Sequence, residues 1–239
     1  MKRFLIILLS AIIVVGGVIL LKKDNTTAPG TPTNNVLGKG TSGVKVVMYA
    51  DFQCPGCGAF HPIVKQVTAH YKDEITFQFV NFPLTQIHSN ALAAARAAQA
   101  ASKQGKFWEM HDLLYQQQTS WSQSTNATTT FQGYASQLGL NITQYKADFV
   151  NSDTNAVINA DIATGQKLKV TGTPAFFIDG KQVEDNNTIA AADKFIAVID
   201  AKILAKTGKP STSKAAPTDI TAPSVAPTPV PEPSTNSSN

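Results

Sequence analysis

The hydrophobic and polar positions of the central region follow first a strand-like and then a helical spacing. Residues 44–50 are a compact apolar run rich in β-branched side chains, which is typical of a buried strand. Over residues 55–71 the apolar side chains recur at helical spacing, so this segment is predicted to be a helix. Residues 75–81 alternate between two sides, as a second strand does. A short helical crossover between two strands predicts a βαβ unit with parallel strands.

A block of helices is predicted to follow the second strand. Residues 90–105 are dominated by alanine, and residues 107–118 place aromatic and aliphatic side chains at helical spacing. Further helical patterns continue to residue 168. The predicted helical insertion therefore covers residues 87–168.

The last part of the central region returns to strands. Residues 170–179 carry a strand-like apolar run, and Asp179-Gly180 is typical of a hairpin turn before a return strand. Residues 188–205 have the pattern of an amphipathic closing helix. The order βαβ, helical insertion, ββα predicts one α/β domain over residues 43–206.

The N-terminal end has a different composition. Residues 4–21 are apolar apart from glycine and one serine, and as a helix they would span about 27 Å. Residues 1–23 are therefore predicted to be a signal anchor in the cell membrane, a single-pass helix with the domain on the extracytoplasmic side. A cleaved signal peptide is the alternative, and it would leave a secreted protein.

Two polar segments flank the predicted domain. Residues 24–42 are rich in Thr, Pro, Asn and Gly, which predicts a flexible linker. Residues 207–239 contain seven prolines among Ser, Thr and Ala, a composition that buries too little apolar area to offset the entropy of ordering. This C-terminal tail is predicted to be disordered.

The charge distribution argues against nucleic acid binding. The sequence has 20 basic and 16 acidic residues, and four of the basic residues precede residue 24. The rest of the chain is therefore electrically balanced. It offers no basic patch for phosphates.

The two cysteines of the chain lie in Cys54-Pro55-Gly56-Cys57, where the first strand gives way to the helix. Unpaired backbone amides and the helix dipole stabilise an anion at a helix N-terminus, so the thiolate of Cys54 is favoured. Cys57 lies one turn into the helix and is expected to be the less exposed thiol. Cys54 is therefore predicted to be the nucleophile and Cys57 the resolving thiol, with Pro55 and Gly56 shaping the site.

Two structural interpretations of the cysteine pair stay open at this stage. A disulfide in so short a loop restricts the unfolded chain little, which makes a purely stabilising bond a weak explanation. A zinc site would need further ligands, and the candidates are Cys54, Cys57 and His61 with one of His70, His88 and His111. Because the sequence has no second cysteine pair, no metal is predicted. His61 is instead a candidate for tuning the thiols.

A second signal for the site is Thr173-Pro174, directly before the apolar residues 175–178. A proline at the start of a strand has two explanations. It can be simply positional, or a cis Thr173–Pro174 bond can bend the chain beside the cysteine helix and expose backbone groups to a substrate.

Four separated motifs give the sequence its resemblance to a known family. They are DFQCPGCG (51–58), NFPL (81–84) with HSNA (88–91), QGKFWEMHD (104–112) and GTPAFF (172–177). Together they resemble the DsbA-like family of thioredoxin-fold thiol-disulfide oxidoreductases over residues 44–205. The resemblance implies a thioredoxin-like α/β fold with a helical insertion. It also implies that Pro174 is a cis-proline facing the cysteine pair, with Thr173 before it. The family often has His, Tyr or Phe where this sequence has Gly56, so that position offers no side chain to stabilise the Cys54 thiolate.

The same resemblance implies a protein-disulfide oxidoreductase that needs no cofactor beyond its two thiols. Its oxidised form is expected to donate the disulfide to unfolded or reduced secreted proteins. A quinone-linked membrane partner is expected to reoxidise it, and the anchor would hold it near that partner. Two other functions stay open: reduction or isomerisation of substrate disulfides by the same residues, and a chaperone-like module that binds peptides through apolar residues near Pro174.

Overall fold

The structure is a computed structural model that describes residues 30–213 and the short strand Thr228–Pro229. The predicted βαβ unit is confirmed, and a three-residue strand precedes it. Its elements are β1 (Asn35–Leu37), β2 (Val44–Ala50), α1 (Pro55–His70) and β3 (Ile75–Asn81). Strands β2 and β3 are parallel over their full length.

The predicted helical insertion between the two halves is also confirmed. Its helices are α2 (Ala91–Ser102), α3 (Phe107–Gln116), α4 (Gln118–Trp121), α5 (Ala127–Gln137), α6 (Ile142–Val150) and α7 (Ser152–Lys167). The elements that follow are β4 (Gly172–Thr173), β5 (Ala175–Ile178), β6 (Lys181–Gln182), a 3-10 helix (Asn186–Ile189), α8 (Ala192–Thr207) and β7 (Thr228–Pro229). Helix α8 begins four residues later than predicted, because the Asp185 side chain accepts a hydrogen bond from the backbone of Asn187 and starts the 3-10 helix instead.

The main sheet has five strands in the order β1, β3, β2, β5, β6. Every neighbouring pair except β2 with β3 is antiparallel. The predicted hairpin turn joins β5 to β6, and its central residues Asp179 and Gly180 have φ angles of 49° and 80°. Positive φ at both positions is what a type I′ turn requires. A separate two-stranded sheet pairs β4 with β7.

Alternate side chains of β2 enter cores on opposite faces of the sheet. Val46 and Met48 belong to a larger core, to which α1, α3 and α8 also contribute. Tyr49 belongs to a smaller core that includes Phe177 and packs against Ile162 of α7. Burial on both faces fixes the strand register, because a slip of one residue would exchange the two sets of side chains. The C-terminal end of β2, where the cysteine segment begins, is thereby held in place.

Part of the predicted flexible linker, residues 24–42, is ordered, so the prediction was wrong there. Asn35–Leu37 forms an edge strand antiparallel to β3. After it, the backbone N–H of Gly40 donates to the carbonyl oxygen of Ile75 at 3.1 Å. Backbone pairing at a sheet edge needs no apolar period in the sequence, which is why composition did not reveal this strand.

The predicted disordered tail, residues 207–239, also contains ordered positions. The carboxylate of Glu74 accepts hydrogen bonds from the backbone of Thr212 and from the hydroxyls of Ser211 and Ser213. These bonds lower the pKa of Glu74 to about 2, although burial acts in the opposite direction. Hydrogen bonds to a carboxylate, and in β7 to a strand edge, order segments that bury little apolar area.

The predicted membrane anchor, residues 1–23, lies outside the described residues. Within residues 30–213, no helix combines the length and the hydropathy needed to cross a bilayer.

Candidate active site

The cysteine segment begins in a tight turn after β2. The backbone N–H of Cys54 donates to the carbonyl oxygen of Asp51 at 3.2 Å, and Cys54 is the N-cap of α1. Pro55 takes the first helical position, where a missing N–H breaks no intrahelical bond. Cys57 lies in the first turn, and no disulfide joins the two cysteines in this structure. The structure therefore places Cys54 where unpaired backbone amides favour an anion.

Both thiols are buried, which differs from the expectation that Cys54 would be the more exposed one. Cys54 and Cys57 each have 0 % of their surface exposed. The Cys54 Sγ donates to the carbonyl oxygen of Thr173 at 3.3 Å, so the segment before Pro174 lies against this sulfur. The chain around Thr173 therefore contributes to the burial of Cys54.

The peptide bond between Thr173 and Pro174 is cis, as the resemblance implied. Pro174 separates β4 from β5, because proline has no N–H to continue a strand ladder. The side chain of Asn186 donates to the Pro174 carbonyl oxygen at 2.8 Å and supports this bend. Strand β7 pairs antiparallel with Gly172 and Thr173, so the strand edge beside Cys54 accepts an extended chain.

Cys57 is held in its protonated form. Burial raises the pKa of the Cys57 thiol well above its ordinary value, and the hydrogen bond and charge of Cys54 raise it further. Tyr115 of α3 lies beside Cys57, and its hydroxyl donates to the carbonyl oxygen of Asp51 at 3.4 Å. The two thiols of the pair therefore sit in different surroundings, although only two residues separate them.

A buried aspartate lies between the cysteine turn and the segment after β3. Its Oδ2 accepts from Nδ1 of His88 at 2.7 Å and from the backbone N–H of Leu84 at 2.8 Å, and its Oδ1 accepts from the backbone N–H of Gln53 at 2.7 Å. The Asp51 side chain is 0 % exposed and the His88 side chain 12 %. The hydrogen bond to Asp51 raises the pKa of His88 against the effect of burial, and the negative charges of Asp51 and Cys54 raise it further.

Helix α4 is hydrogen-bonded to the same turn through the side chain of Gln118. The side-chain amide of Gln118 donates to the carbonyl oxygens of Phe52 at 2.7 Å and Cys54 at 2.9 Å. Gly58 leaves room for this contact, because a Cβ at that position would lie 2.5 Å from Oε1 of Gln118. A residue of the helical insertion thus fixes the backbone that carries the nucleophile.

A second polar group, which we call the Asp112 cluster, consists of Asp112 and His111 on α3 with His61 and Lys65 on α1. Oδ1 of Asp112 accepts from Nε2 of His61 at 2.9 Å and from Nδ1 of His111 at 3.1 Å, and Oδ2 accepts from Lys65 at 2.6 Å. The His61 ring stacks on Tyr115 with their centroids 5.3 Å apart. His61 therefore approaches the thiols through Tyr115, and its role in tuning them stays a prediction.

The charges within the Asp112 cluster are set by burial and by its hydrogen bonds. Burial lowers the pKa of His111 to about 4, although Asp112 acts in the opposite direction. Burial would raise the pKa of Asp112, but the hydrogen bonds from His111, His61 and Lys65 hold it below its usual range. The cluster is therefore an anionic carboxylate with a neutral buried imidazole beside it.

The histidines considered as zinc ligands have other contacts in the described part of the chain. His61 and His111 bind Asp112, His88 binds Asp51, and His70 packs against the ring of Tyr71. The potential ligand atoms of His61, His111 and Asp112 lie within 4.8 Å of one another, but Lys65 already neutralises that carboxylate. The zinc site of the sequence analysis, which needed the cysteines, is not assembled among these residues.

Sequence reasoning missed the contacts of three residues around the cysteine pair. Asp51 and His88 belong to two of the motifs, but they are 37 positions apart and nothing in the sequence between them indicated that they touch. Gln118 stood at the end of a predicted helix with no functional reason to be chosen. Only the tertiary fold brings these side chains to the cysteine turn.

Comparison with known proteins agrees with this geometry. A family model described as Thioredoxin matches residues 30–198. The probable disulfide bond formation protein D of Bacillus cereus is 28 % identical over 153 residues, which cover 62 % of this chain and 71 % of that protein. The crystal structure of oxidised BdbD from Bacillus subtilis has the same fold, with a TM-score of 0.62 at 22 % identity, covering 73 % of this chain and 97 % of that chain.

Other curated relatives are much longer than the matched segment. The Na(+)/H(+) antiporter NhaA 3 of Salinispora tropica is 34 % identical over 149 residues, which cover 62 % of this chain and 22 % of the antiporter. The chain spans less than a quarter of the length of such relatives, so the match concerns one segment of them. With the family match extending over most of the domain and a cysteine pair at the start of α1, the chain belongs to the thioredoxin family.

Proposed function

We propose that the protein is an extracytoplasmic disulfide donor that oxidises thiol pairs in secreted proteins through Cys54 and Cys57. The observation that carries this proposal is the inequality of the two thiols. Burial keeps Cys57 protonated by raising its pKa, whereas Cys54 is the N-cap of α1. A disulfide whose first sulfur leaves readily as a thiolate is easily passed to other thiols.

The exchange proceeds in two displacements. A substrate thiolate attacks Sγ of Cys54 in the oxidised protein, the Cys54–Cys57 bond breaks, and Cys57 leaves and takes up a proton. A second substrate thiolate then attacks the substrate sulfur of the mixed disulfide, and Cys54 leaves as a thiolate. The substrate loses two electrons and gains a disulfide, and the same two electrons reduce the Cys54–Cys57 couple.

The proposed substrate is an unfolded or reduced polypeptide in extended conformation. The edge of β4 supports this choice, because Gly172 and Thr173 pair with an extended strand and the Thr173 carbonyl oxygen touches Cys54. A peptide that takes the place of β7 on this edge would bring its own cysteine next to Sγ of Cys54. The relative from Bacillus cereus, named as a probable disulfide bond formation protein, supports the oxidising direction.

The location and the electron acceptor are part of the same proposal. The apolar residues 4–21 are the reason to place the protein in the cell membrane, with its domain outside the cytoplasm. There a quinone-linked membrane protein would remove the two electrons and regenerate the disulfide. After the disulfide has been reduced in intact cells, labelling of Cys54 with a membrane-impermeant maleimide checks the location, and protection of Cys54 until the cells are lysed would contradict it.

Activity is tested with a reduced model protein that has two cysteines. The oxidised protein should form the substrate disulfide, Cys54→Ser should abolish this reaction, and Cys57→Ser should stop at a mixed disulfide through Cys54. Oxidation by Cys54→Ser at the wild-type rate would reject the assignment. Peptide binding that is unchanged after both cysteines are replaced by Ala, without any oxidation by the wild type, would favour a binding module.

A further inference from the structure

The Asp51 side chain is a buried carboxylate that no salt bridge to Lys or Arg compensates among the described residues. Two backbone amides and the imidazole of His88 satisfy its oxygens. His88 keeps 12 % of its side chain exposed while Asp51 has none, so the pair runs from the buried side of the cysteine turn toward the surface. Burial of a carboxylate is costly without a charged partner, which favours an imidazolium at position 88.

The charge of Asp51 is coupled to Cys57, whereas His88 is coupled to the charge of Cys54. Asp51 lies three residues before Cys54, and its carbonyl oxygen accepts from both the Cys54 N–H and the Tyr115 hydroxyl beside Cys57. After burial and the contact with Cys54, the charge of Asp51 also raises the pKa of Cys57, whereas a hydrogen bond with the backbone of Asp51 lowers it. The charge of Cys54, in turn, raises the pKa of His88. Because such coupling is reciprocal, a charged His88 must favour the anion of Cys54.

We propose that His88, held by Asp51, is a positioning residue whose imidazolium stabilises the Cys54 thiolate, while the Asp51 carboxylate opposes a thiolate on Cys57. The inference rests on the proposed thiol-disulfide exchange and deepens it by naming what separates the two sulfurs. Gly56, between the cysteines, has no side chain for this purpose. The charge comes from the segment after β3 instead.

The groups that face this pair come from few elements. Among the described residues, those coupled by charge to Asp51 or His88 include Cys54 and Cys57 of the cysteine segment and Tyr115 of α3. The Asp112 cluster reaches Tyr115 as well, but its own imidazoles bind Asp112 and leave Asp51 to His88. In the second displacement Cys54 departs as a thiolate, so a cation beside it drives the equilibrium toward the reduced enzyme and the oxidised substrate.

The test compares His88→Gln with His70→Gln, the same change at the far end of α1. The rate of Cys54 alkylation by iodoacetamide is followed against pH in the reduced full-length protein, and the equilibrium constant with glutathione is measured in parallel. We expect His88→Gln to slow alkylation at pH 6 about tenfold. The reason is that an opposite charge at close range lowers the pKa of a thiol or carboxyl group by at least about one unit. The equilibrium constant for oxidising glutathione should fall by a similar factor, which is about 30 mV.

His70→Gln should leave both quantities unchanged, and His88→Lys should recover much of the loss because it restores a cation. Wild-type alkylation and equilibrium constants in a folded His88→Gln would overturn the inference and leave the pair a structural contact. If His88→Gln fails to fold, His88→Lys decides instead. This variant keeps a cation at position 88, so a loss of the Cys54 alkylation rate as large as that expected for removing the charge would also overturn the inference. The inference fails on the difference between variants, whereas the proposed disulfide donation fails on the wild-type equilibrium constant itself.

Discussion

Two His–Asp groups flank the start of the cysteine helix, and their charges are arranged in opposite ways. In the Asp51–His88 pair the carboxylate is fully buried and the imidazole reaches the surface, and the pKa of His88 is raised. In the Asp112 cluster the carboxylate is 30 % exposed and His111 is buried, with its pKa lowered to about 4. The same two residue types therefore give an imidazole with a raised pKa near the surface and a neutral ring in the core.

The difference follows from what else each carboxylate binds. Asp112 has Lys65 as a cationic partner, so burial can keep His111 neutral at little cost. Asp51 has backbone amides and His88, so the imidazole supplies its counter-charge. Residue type alone does not distinguish a His–Asp contact that affects the thiols from a structural one. The other partners of the carboxylate distinguish them.

The largest expected effect concerns the pH dependence of stability through His111. Its pKa is lowered to about 4 in the fold against about 6.5 in the unfolded chain, so its contribution is present above pH 6.5 and is lost as the pH falls to about 4. The shift corresponds to about 3 kcal/mol. Urea unfolding at several pH values should show this loss in the wild type and a flatter profile in His111→Gln. Parallel profiles for the two proteins would mean that His111 is not held neutral.

Replacing Asp112 by alanine should separate stability from redox chemistry. The change leaves the buried imidazoles of His61 and His111 without their acceptor, and we expect a loss of about 2 kcal/mol in the free energy of unfolding. The glutathione equilibrium of the Cys54–Cys57 couple should stay within twofold of the wild type. A tenfold change in that equilibrium would show that the Asp112 cluster, through His61 and Tyr115, also tunes the thiols.

Gly58→Ala tests how much the hydrogen bonds of Gln118 to the cysteine turn contribute to stability. The new Cβ would displace Oε1 of Gln118 and weaken its bonds to Phe52 and Cys54, whereas Gly133→Ala in α5 meets no atom within 4 Å. Both changes raise helix propensity, so their difference isolates the contact. We expect Gly58→Ala to be less stable than Gly133→Ala by about 1 kcal/mol in thermal unfolding. Equal stabilities would show that Gln118 moves without consequence.

The smallest expected effect is that of Lys65→Met. The ammonium group is 49 % exposed, so its bond to Asp112 should contribute no more than about 0.5 kcal/mol to unfolding. Cys54 alkylation should be unchanged. A large loss of stability would mean that Lys65 is the main stabilising partner of the Asp112 carboxylate. The Asp112 cluster would then differ from the Asp51–His88 pair chiefly in this ion pair and less in burial.

The sequence could predict the elements whose burial follows a simple period. Both parallel strands were predicted at their observed bounds, and the start of α1 followed from the proline after Cys54. The edge strand Asn35–Leu37 could not be predicted, because its three residues pair through backbone groups and show no alternation. The burial of Cys54 was missed for a related reason, since it depends on Thr173, 119 residues further along the chain.

The site was predictable only as far as its local spacing carried chemistry. Cys54 and Cys57 could be predicted as the reactive pair from their position at the start of a predicted helix. The cis bond before Pro174 came from the family resemblance, because trans and cis proline share one sequence. Asp51 and His88 needed the fold, since hydrogen bonds between distant segments leave no periodic trace.

The central claim is that the Cys54–Cys57 couple is poised to give its disulfide away. The most direct test is its reduction potential in the full-length protein, equilibrated against glutathione. The account predicts a value between about −120 and −180 mV, the range of proteins that donate or isomerise disulfides. A value near about −270 mV, typical of thioredoxin, would contradict it and make the protein a reductase.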